Sequence, residues 1–160
     1  MSWYRFIDGV VLRDESRIVA TRTLRADEPF FRDHFPGHPI LPGVLVTEAM
    51  LQAARLLLEG QIDRADRLVL ASARALRFSR FVGPGQTLVS EVVVHSIAAD
   101  GAEVRVAGFL ADAPEVDPDA LRDLPSVLGG RLALRPPRLR TESHANMTSE
   151  RGPVATTEAV

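Results

Sequence analysis

Two residues of this 160-residue chain, His34 and Glu48, combine side-chain type and setting in a way suited to proton transfer. His34 opens the run His34-Phe-Pro-Gly-His-Pro-Ile-Leu-Pro-Gly43, in which Pro36 and Gly37 follow too closely for it to enter a helix. Its neighbours Phe30, Phe31 and Phe35 are apolar, and such surroundings favour the neutral imidazole that a general base needs. Glu48 falls in the first turn or so of an apolar segment, where partial burial suits a proton donor. The start of that segment offers free N–H groups, and Gly43 leaves room there for a substrate oxygen. A base, an acid and a backbone oxyanion donor are what β-elimination beside a carbonyl requires.

Each group also has a plainer account. His34 can be an ordinary surface-loop histidine, and Pro42-Gly43 simple punctuation before a helix. Glu48, Gln52, Arg55 and Glu59 can be a solvated stripe, with Arg55 and Glu59 pairing one turn apart. His34, His38 and Asp33 do not make a convincing metal site, because Pro36 and Gly37 prevent a helical pair of ligands.

The elements that must hold these groups follow from the pattern of apolar and turn residues. Residues 44–59 are apolar around most of a helical circumference, which marks a buried helix, and Gly60 is a stop signal. Glu48, Gln52, Arg55 and Glu59 form its single polar stripe. Residues 27–43 carry four prolines and two glycines, a density that predicts a structured loop without a regular helix. Residues 4–12, 17–24, 68–78, 87–97, 103–111 and 126–134 read as strands, with a hairpin turn at Ala99-Asp-Gly101. Residues 112–125 are an acidic, proline-containing excursion in which Asp117 caps a short helical turn started by Pro118. One long helix with five or six strands and no crossover helices predicts an α+β fold, an antiparallel sheet curved around the helix. The domain is expected over 1–135, and 136–160, poor in core-forming residues, is expected to be a disordered tail.

Bulk properties remove other classes. Hydrophobic residues at 46% and charged residues at 25% suit one soluble domain, and a net charge of −2 gives no general attraction to nucleic acid or anionic membrane. The absence of cysteine excludes disulfides and thiol nucleophiles. Neither a secretory leader nor a membrane-spanning stretch is visible, so a cytoplasmic location is expected.

The run from Glu28 to Ala53, Glu-Pro-Phe-Phe-Arg-Asp-His-Phe-Pro-Gly-His-Pro-Ile-Leu-Pro-Gly-Val-Leu-Val-Thr-Glu-Ala-Met-Leu-Gln-Ala, resembles the signature of 3-hydroxyacyl-[acyl-carrier-protein] dehydratases of the FabZ type. Tyr4-Arg-Phe-Ile-Asp8 is similar to that family's opening strand. Ala75-Leu-Arg-Phe78 with Val82-Gly-Pro-Gly85 is similar to its central strand and following turn. The resemblance implies the hot-dog fold and a dimer whose active sites each take His34 from one subunit and Glu48 from the other. It implies that His34 removes the C2 proton, that Glu48 helps the C3 hydroxyl leave as water and that Gly43 N–H stabilises the thioester oxygen. Gln52 is implied to orient Glu48. The substrate is implied to ride on the phosphopantetheine of an acyl carrier protein, with no metal and no redox cofactor.

The chain departs from the family in its 112–125 excursion, in Val69 and Leu70 at positions often aromatic, and in Phe81 at a usual proline. These departures bear on chain length and tunnel gating, and they make polyketide or polyene synthesis a rival to fatty-acid synthesis. Arg74, Arg77 and Arg80 are candidates for contact with an acidic carrier. Three other functions compete with plain dehydration. A dehydratase-isomerase is disfavoured by glutamate at position 48, and a hot-dog thioesterase by the His-Phe-Pro-Gly turn. A supporting subunit in a hot-dog heterodimer is compatible with the motif.

Overall fold

The computed structural model describes residues 4–137. One long helix, α2 (Gly43–Leu58), lies against a six-stranded antiparallel sheet in the order β1-β2-β4-β5-β6-β3. The strands are β1 (Gly9–Arg13), β2 (Arg17–Thr23), β3 (Val69–Phe78), β4 (Thr87–Ala98), β5 (Gly101–Ala111) and β6 (Ser126–Arg135). This is the α+β hot-dog arrangement.

Helical phase explains the contact between layers. Val46, Ala49, Met50, Ala53, Ala54, Leu57 and Leu58 recur on one side of α2 and are buried. They meet the inward-pointing alternate residues Leu88 and Val92 of β4, Val104 and Val106 of β5, and Leu132 and Leu134 of β6. The layers approach closely: a Cβ added at Gly108 of β5 would stand 2.9 Å from the methyl carbon of Met50. The opposite face of the sheet carries a second, smaller core of Val19, Val89, Phe109 and Ala111, which the 112–125 excursion covers with Leu121, Val116 and Leu124.

Several expectations need correction in detail. The first strand begins at Gly9 and not at residue 4; residues 4–8 run as a non-regular segment toward β1, tied by Asp8 N–H to the Thr21 carbonyl at 2.8 Å. The proline-rich loop contains one helical turn, α1 (Phe30–Asp33), because Pro29 sits at its N-cap, where no N–H is needed. In the excursion Asp117 accepts the Asp119 N–H at 2.9 Å, but the helical turn forms later, at Leu121–Asp123. The β4–β5 hairpin turns where expected, and Gly101 is required there: at φ +146° an added Cβ would lie 2.1 Å from the Leu134 carbonyl oxygen. The strand containing Ala75–Phe78, implied to be central, is the edge of the sheet within one chain and is exposed along nearly all its length. From residue 138 onward the expected tail lies outside the described residues. Among the described residues no helix is long and apolar enough to cross a membrane.

Candidate active site

Glu48, Gln52 and Arg55 share one stripe of α2 and are joined by their side chains. The Gln52 Nε2 donates to Glu48 Oε1 at 3.0 Å, and the Arg55 Nη1 stands 3.4 Å from the same oxygen. Glu48 Oε2 therefore remains without a partner among the described residues, on a side chain that is 33% exposed. Gln52 is fixed in turn by the segment before β1: its Oε1 accepts the Phe6 N–H and its Nε2 donates to the Tyr4 carbonyl, both at 2.8 Å. Arg55 is fixed by donating from Nε to the Leu68 carbonyl at 2.8 Å, just before β3.

This corrects one account of the stripe. Arg55 does not pair with Glu59; it reaches back two turns to Glu48, while Glu59 pairs with Arg13 of β1 at 3.4 Å. Spacing alone allowed either partner. The roles of Tyr4 and Phe6 were invisible in sequence because they are played by backbone groups.

His34 ends α1 and starts the proline-glycine loop. The Phe35 and His38 backbones bond each other in both directions, at 3.2 and 3.0 Å, and the His34 carbonyl accepts the Ile40 N–H at 3.1 Å. The loop is anchored to the connection between β3 and β4 by Leu41 N–H on the Val82 carbonyl at 2.7 Å. The imidazole lies 4.3 Å from the Phe35 ring, and its Nδ1 is buried with no hydrogen-bond partner among the described residues.

Support for this loop comes from a buried carboxylate. Glu28, 1% exposed, accepts the Arg25 N–H and the Arg22 guanidinium, each at 2.8 Å. Arg22 also bonds Asp8 at 2.7 Å; burial alone would pull its guanidinium down, but Asp8 and Glu28 together hold it above its ordinary value.

At the start of α2 the Leu45 and Val46 N–H groups are taken by the Pro42 carbonyl, and those of Gly43 and Val44 have no acceptor among the described residues. The ring of Phe78, at the end of β3, packs on Gly43: a Cβ there would meet it at 3.2 Å. Among the described residues no hydrogen bond or ion pair joins His34 to Glu48. A cleft of about 770 Å³ adjoins the stripe, but it is lined by Gln52, Arg55, Arg5 and residues 59–66, not by His34 or Glu48.

Known proteins resemble the chain in sequence and in fold. The 3-hydroxyacyl-[acyl-carrier-protein] dehydratase FabZ of Thermus thermophilus is 41% identical over 90 residues, 55% of this chain and 63% of that protein. The chain thus spans less than two thirds of that relative's length. FabZ of Ruminiclostridium cellulolyticum is 37% identical over 106 residues, 64% of this chain and 75% of the relative. Among solved structures, the dehydratase heterocomplex ApeI:P from Xenorhabdus doucetiae superposes with a TM-score of 0.63 at 17% identity, covering 86% of each chain. A hypothetical thioesterase with coenzyme A from Streptococcus pneumoniae gives 0.58 at 8% identity, covering 79% of this chain and 83% of the other. At such identities these two structures establish a shared fold. A family model described as a FabA-like domain matches residues 4–114, and with it the chain belongs to the FabA-like family.

Proposed function

We propose that the chain dehydrates 3-hydroxyacyl thioesters held on an acyl carrier protein, giving trans-2-enoyl thioesters in fatty-acid or polyketide synthesis. The observation that carries this reading is the half-held carboxylate of Glu48. Two donors converge on Oε1, so Oε2 is the oxygen free to meet a substrate hydroxyl. His34 takes the C2 proton, the released electron pair forms the C2–C3 double bond and the C3–O bond breaks. Glu48 supplies the proton with which that oxygen leaves as water. The Gly43 N–H receives the developing charge on the thioester oxygen, an arrangement worth about 3–4 kcal/mol in comparable oxyanion sites. The substrate arrives on phosphopantetheine, and the steps above call on neither metal nor redox cofactor.

Such a site needs two chains. No hydrogen bond or ion pair joins His34 to Glu48 among the described residues of one, and the imidazole Nδ1 is buried without a partner there. The β3 edge supports a second copy as the source of the missing half. It is ten residues long, hydrogen-bonded on one side only, and exposes Val69, Leu70 and Phe78. A strand of that kind is a template for pairing with another strand. Pairing β3 with the partner's β3 would make it central, as the family resemblance implies. A different hot-dog chain on the same edge is the second reading, in which this chain is a supporting subunit.

Mass spectrometry of carrier-bound 3-hydroxyacyl chains of graded length tests the reaction: loss of water is expected, and release of free acid would instead favour a thioesterase. Mixing His34→Ala with Glu48→Gln, each retaining only a small residual activity, tests the shared site. Random reassortment into two-fold dimers restores about a quarter of wild-type activity, since half the dimers are mixed and each carries one complete site. No recovery after verified exchange of subunits would sink the shared site, and an inactive wild-type homodimer would leave the supporting role.

A further inference from the structure

The face of the sheet turned away from α2 carries an unusual row of cations. Arg105 of β5 stands opposite Arg131 of β6, and Arg131 stands opposite Arg74 of β3. Residues paired in this way project to the same face, here the one opposite the helix-facing Val104, Val106 and Leu132. Arg77 adds a fourth in the adjoining row, opposite Gly129. All four are exposed, and none is in an ion pair among the described residues. Like charges placed directly opposite across strands destabilise a sheet, and the carboxylate beside the row on this face, Glu103 of β5, makes no ion pair with it among the described residues.

The same face carries the opposite charge on its other half. The 112–125 excursion holds Asp112, Glu115, Asp117, Asp119 and Asp123 against the single cation Arg122. Leu121, Val116 and Leu124 pin it over Val19, Val89 and Phe109, so it stands as a ridge above β2, β4 and β5. Glu91 secures it further, bonding Arg17 of β2 at 2.9 Å and Arg122 at 2.8 Å. Arg17 takes Asp119 at 3.5 Å, whereas Asp112, Glu115, Asp117 and Asp123 are exposed and make no ion pair among the described residues. One half of the face is thus a raised acidic ridge, and the other, over β5, β6 and β3, is basic, with four arginines against the single carboxylate Glu103.

We propose that two copies of the chain pack sheet to sheet through this face, the acidic ridge of each lying over the arginine row of the other. A two-fold axis parallel to the strands and between the two patches brings both pairs of patches together at once, so the contact is self-complementary and closes. Pairing at the β3 edge leaves this face free, and its two-fold lies at that edge while the face contact's lies between the patches, so the two axes do not meet and the face contact links edge dimers into an open chain, independently of the proposed reaction.

Sedimentation velocity on the full chain tests it. In low salt, Arg105→Glu with Arg131→Glu is expected to collapse the concentration-dependent series of larger wild-type particles to the edge dimer. Asp112→Arg with Glu115→Arg is expected to do the same, and the four changes combined to restore it. Raising salt to about 1 M, where screening acts within about 3 Å, should also reduce the wild type to the edge dimer. Thermal melts identify any variant that fails to fold, and the reversal on the other patch then decides. An unchanged mass in a folded single-patch variant overturns the proposal, as does failure of the folded combined variant to recover. Arginine variants that keep their mass but lose retention on immobilised acyl carrier protein would assign the row to an acidic partner instead.

Discussion

Gln52 holds Glu48 with an amide fixed at both ends: Nε2 spends its two donors on Glu48 Oε1 and the Tyr4 carbonyl, and Oε1 accepts the Phe6 N–H. The amide can sit only one way round, since a flip would face its oxygen with two acceptors. Gln52→Glu keeps the shape but sets a carboxylate against both Glu48 and a carbonyl. It is expected to lower kcat by about 10–100-fold, the scale lost when a group orienting a reactive side chain is removed, and more than Gln52→Ala does. Steady-state dehydration kinetics of the two variants give the ranking; a Gln52→Glu enzyme with wild-type kcat would remove Gln52 from the site.

Arg55 offers a second handle on the same oxygen. If its effect on the reaction passes through Glu48, Arg55→Met should reduce kcat by about 3–10-fold in the wild type and do nothing further in Glu48→Gln, because coupled residues are non-additive. Arg55→Lys should recover part of the loss with KM little changed. Equal losses in both backgrounds would show that Arg55 serves only to tie α2 to Leu68.

The contrast between what α2 and the loop revealed in sequence has a physical basis. The helix was legible because its apolar phase, its Pro-Gly start and Gly60, at φ +86°, all agree. The stripe of Glu48 and Gln52 followed from the same phase. The choice of Arg55 partner did not, because Glu48 and Glu59 are both within reach along a helix and the decision was made by the Leu68 carbonyl. Tyr4 and Phe6 were read as strand because their residue types suit one, yet long-range bonds to Gln52 claim their backbones. The edge position of β3 was hidden for a related reason: strand order depends on contacts distant in sequence.

Glu28 is where the His34 loop is most vulnerable. Glu28→Ala strips Arg22 of one of its two carboxylates inside the fold and leaves the Arg25 N–H without its side-chain acceptor. Breaking one side of a buried pair costs about 3–5 kcal/mol, and the surviving Asp8 contact puts the expected loss near the lower end. Urea unfolding measures this directly, and a loss below about 1 kcal/mol, the range of exposed pairs, would contradict it.

Acid should release the β1–β2 turn. The Asp14 carboxyl is held below its ordinary 3.8 by the Ser16 N–H first, then by the Ser16 hydroxyl and the Arg17 N–H. A carboxyl depressed in the folded state stabilises fully above its unfolded value and loses that contribution as pH falls through the folded one. Wild type should therefore exceed Asp14→Asn in stability by a constant margin at neutral pH, and the margin should close below pH 3.8. Denaturant midpoints of both proteins across this range check the sign; a margin that widens in acid would reverse it.

Gly43 separates stability from activity most cleanly. It lies at the first position of α2, where alanine is the better helix former, and the atom an added Cβ would crowd belongs to Phe78, whose ring is 51% exposed and able to turn aside. Gly43→Ala should leave the fold within about 1 kcal/mol of wild type, in either direction. The methyl group nevertheless occupies the approach to the free Gly43 N–H. If that N–H receives the thioester oxygen, kcat should fall by about 10²-fold or more, as when an oxyanion donor is lost. Adding Phe78→Ala should relieve any packing strain without restoring turnover. A double variant that regains wild-type kcat would place the fault in packing against the ring and take the oxyanion role away from Gly43.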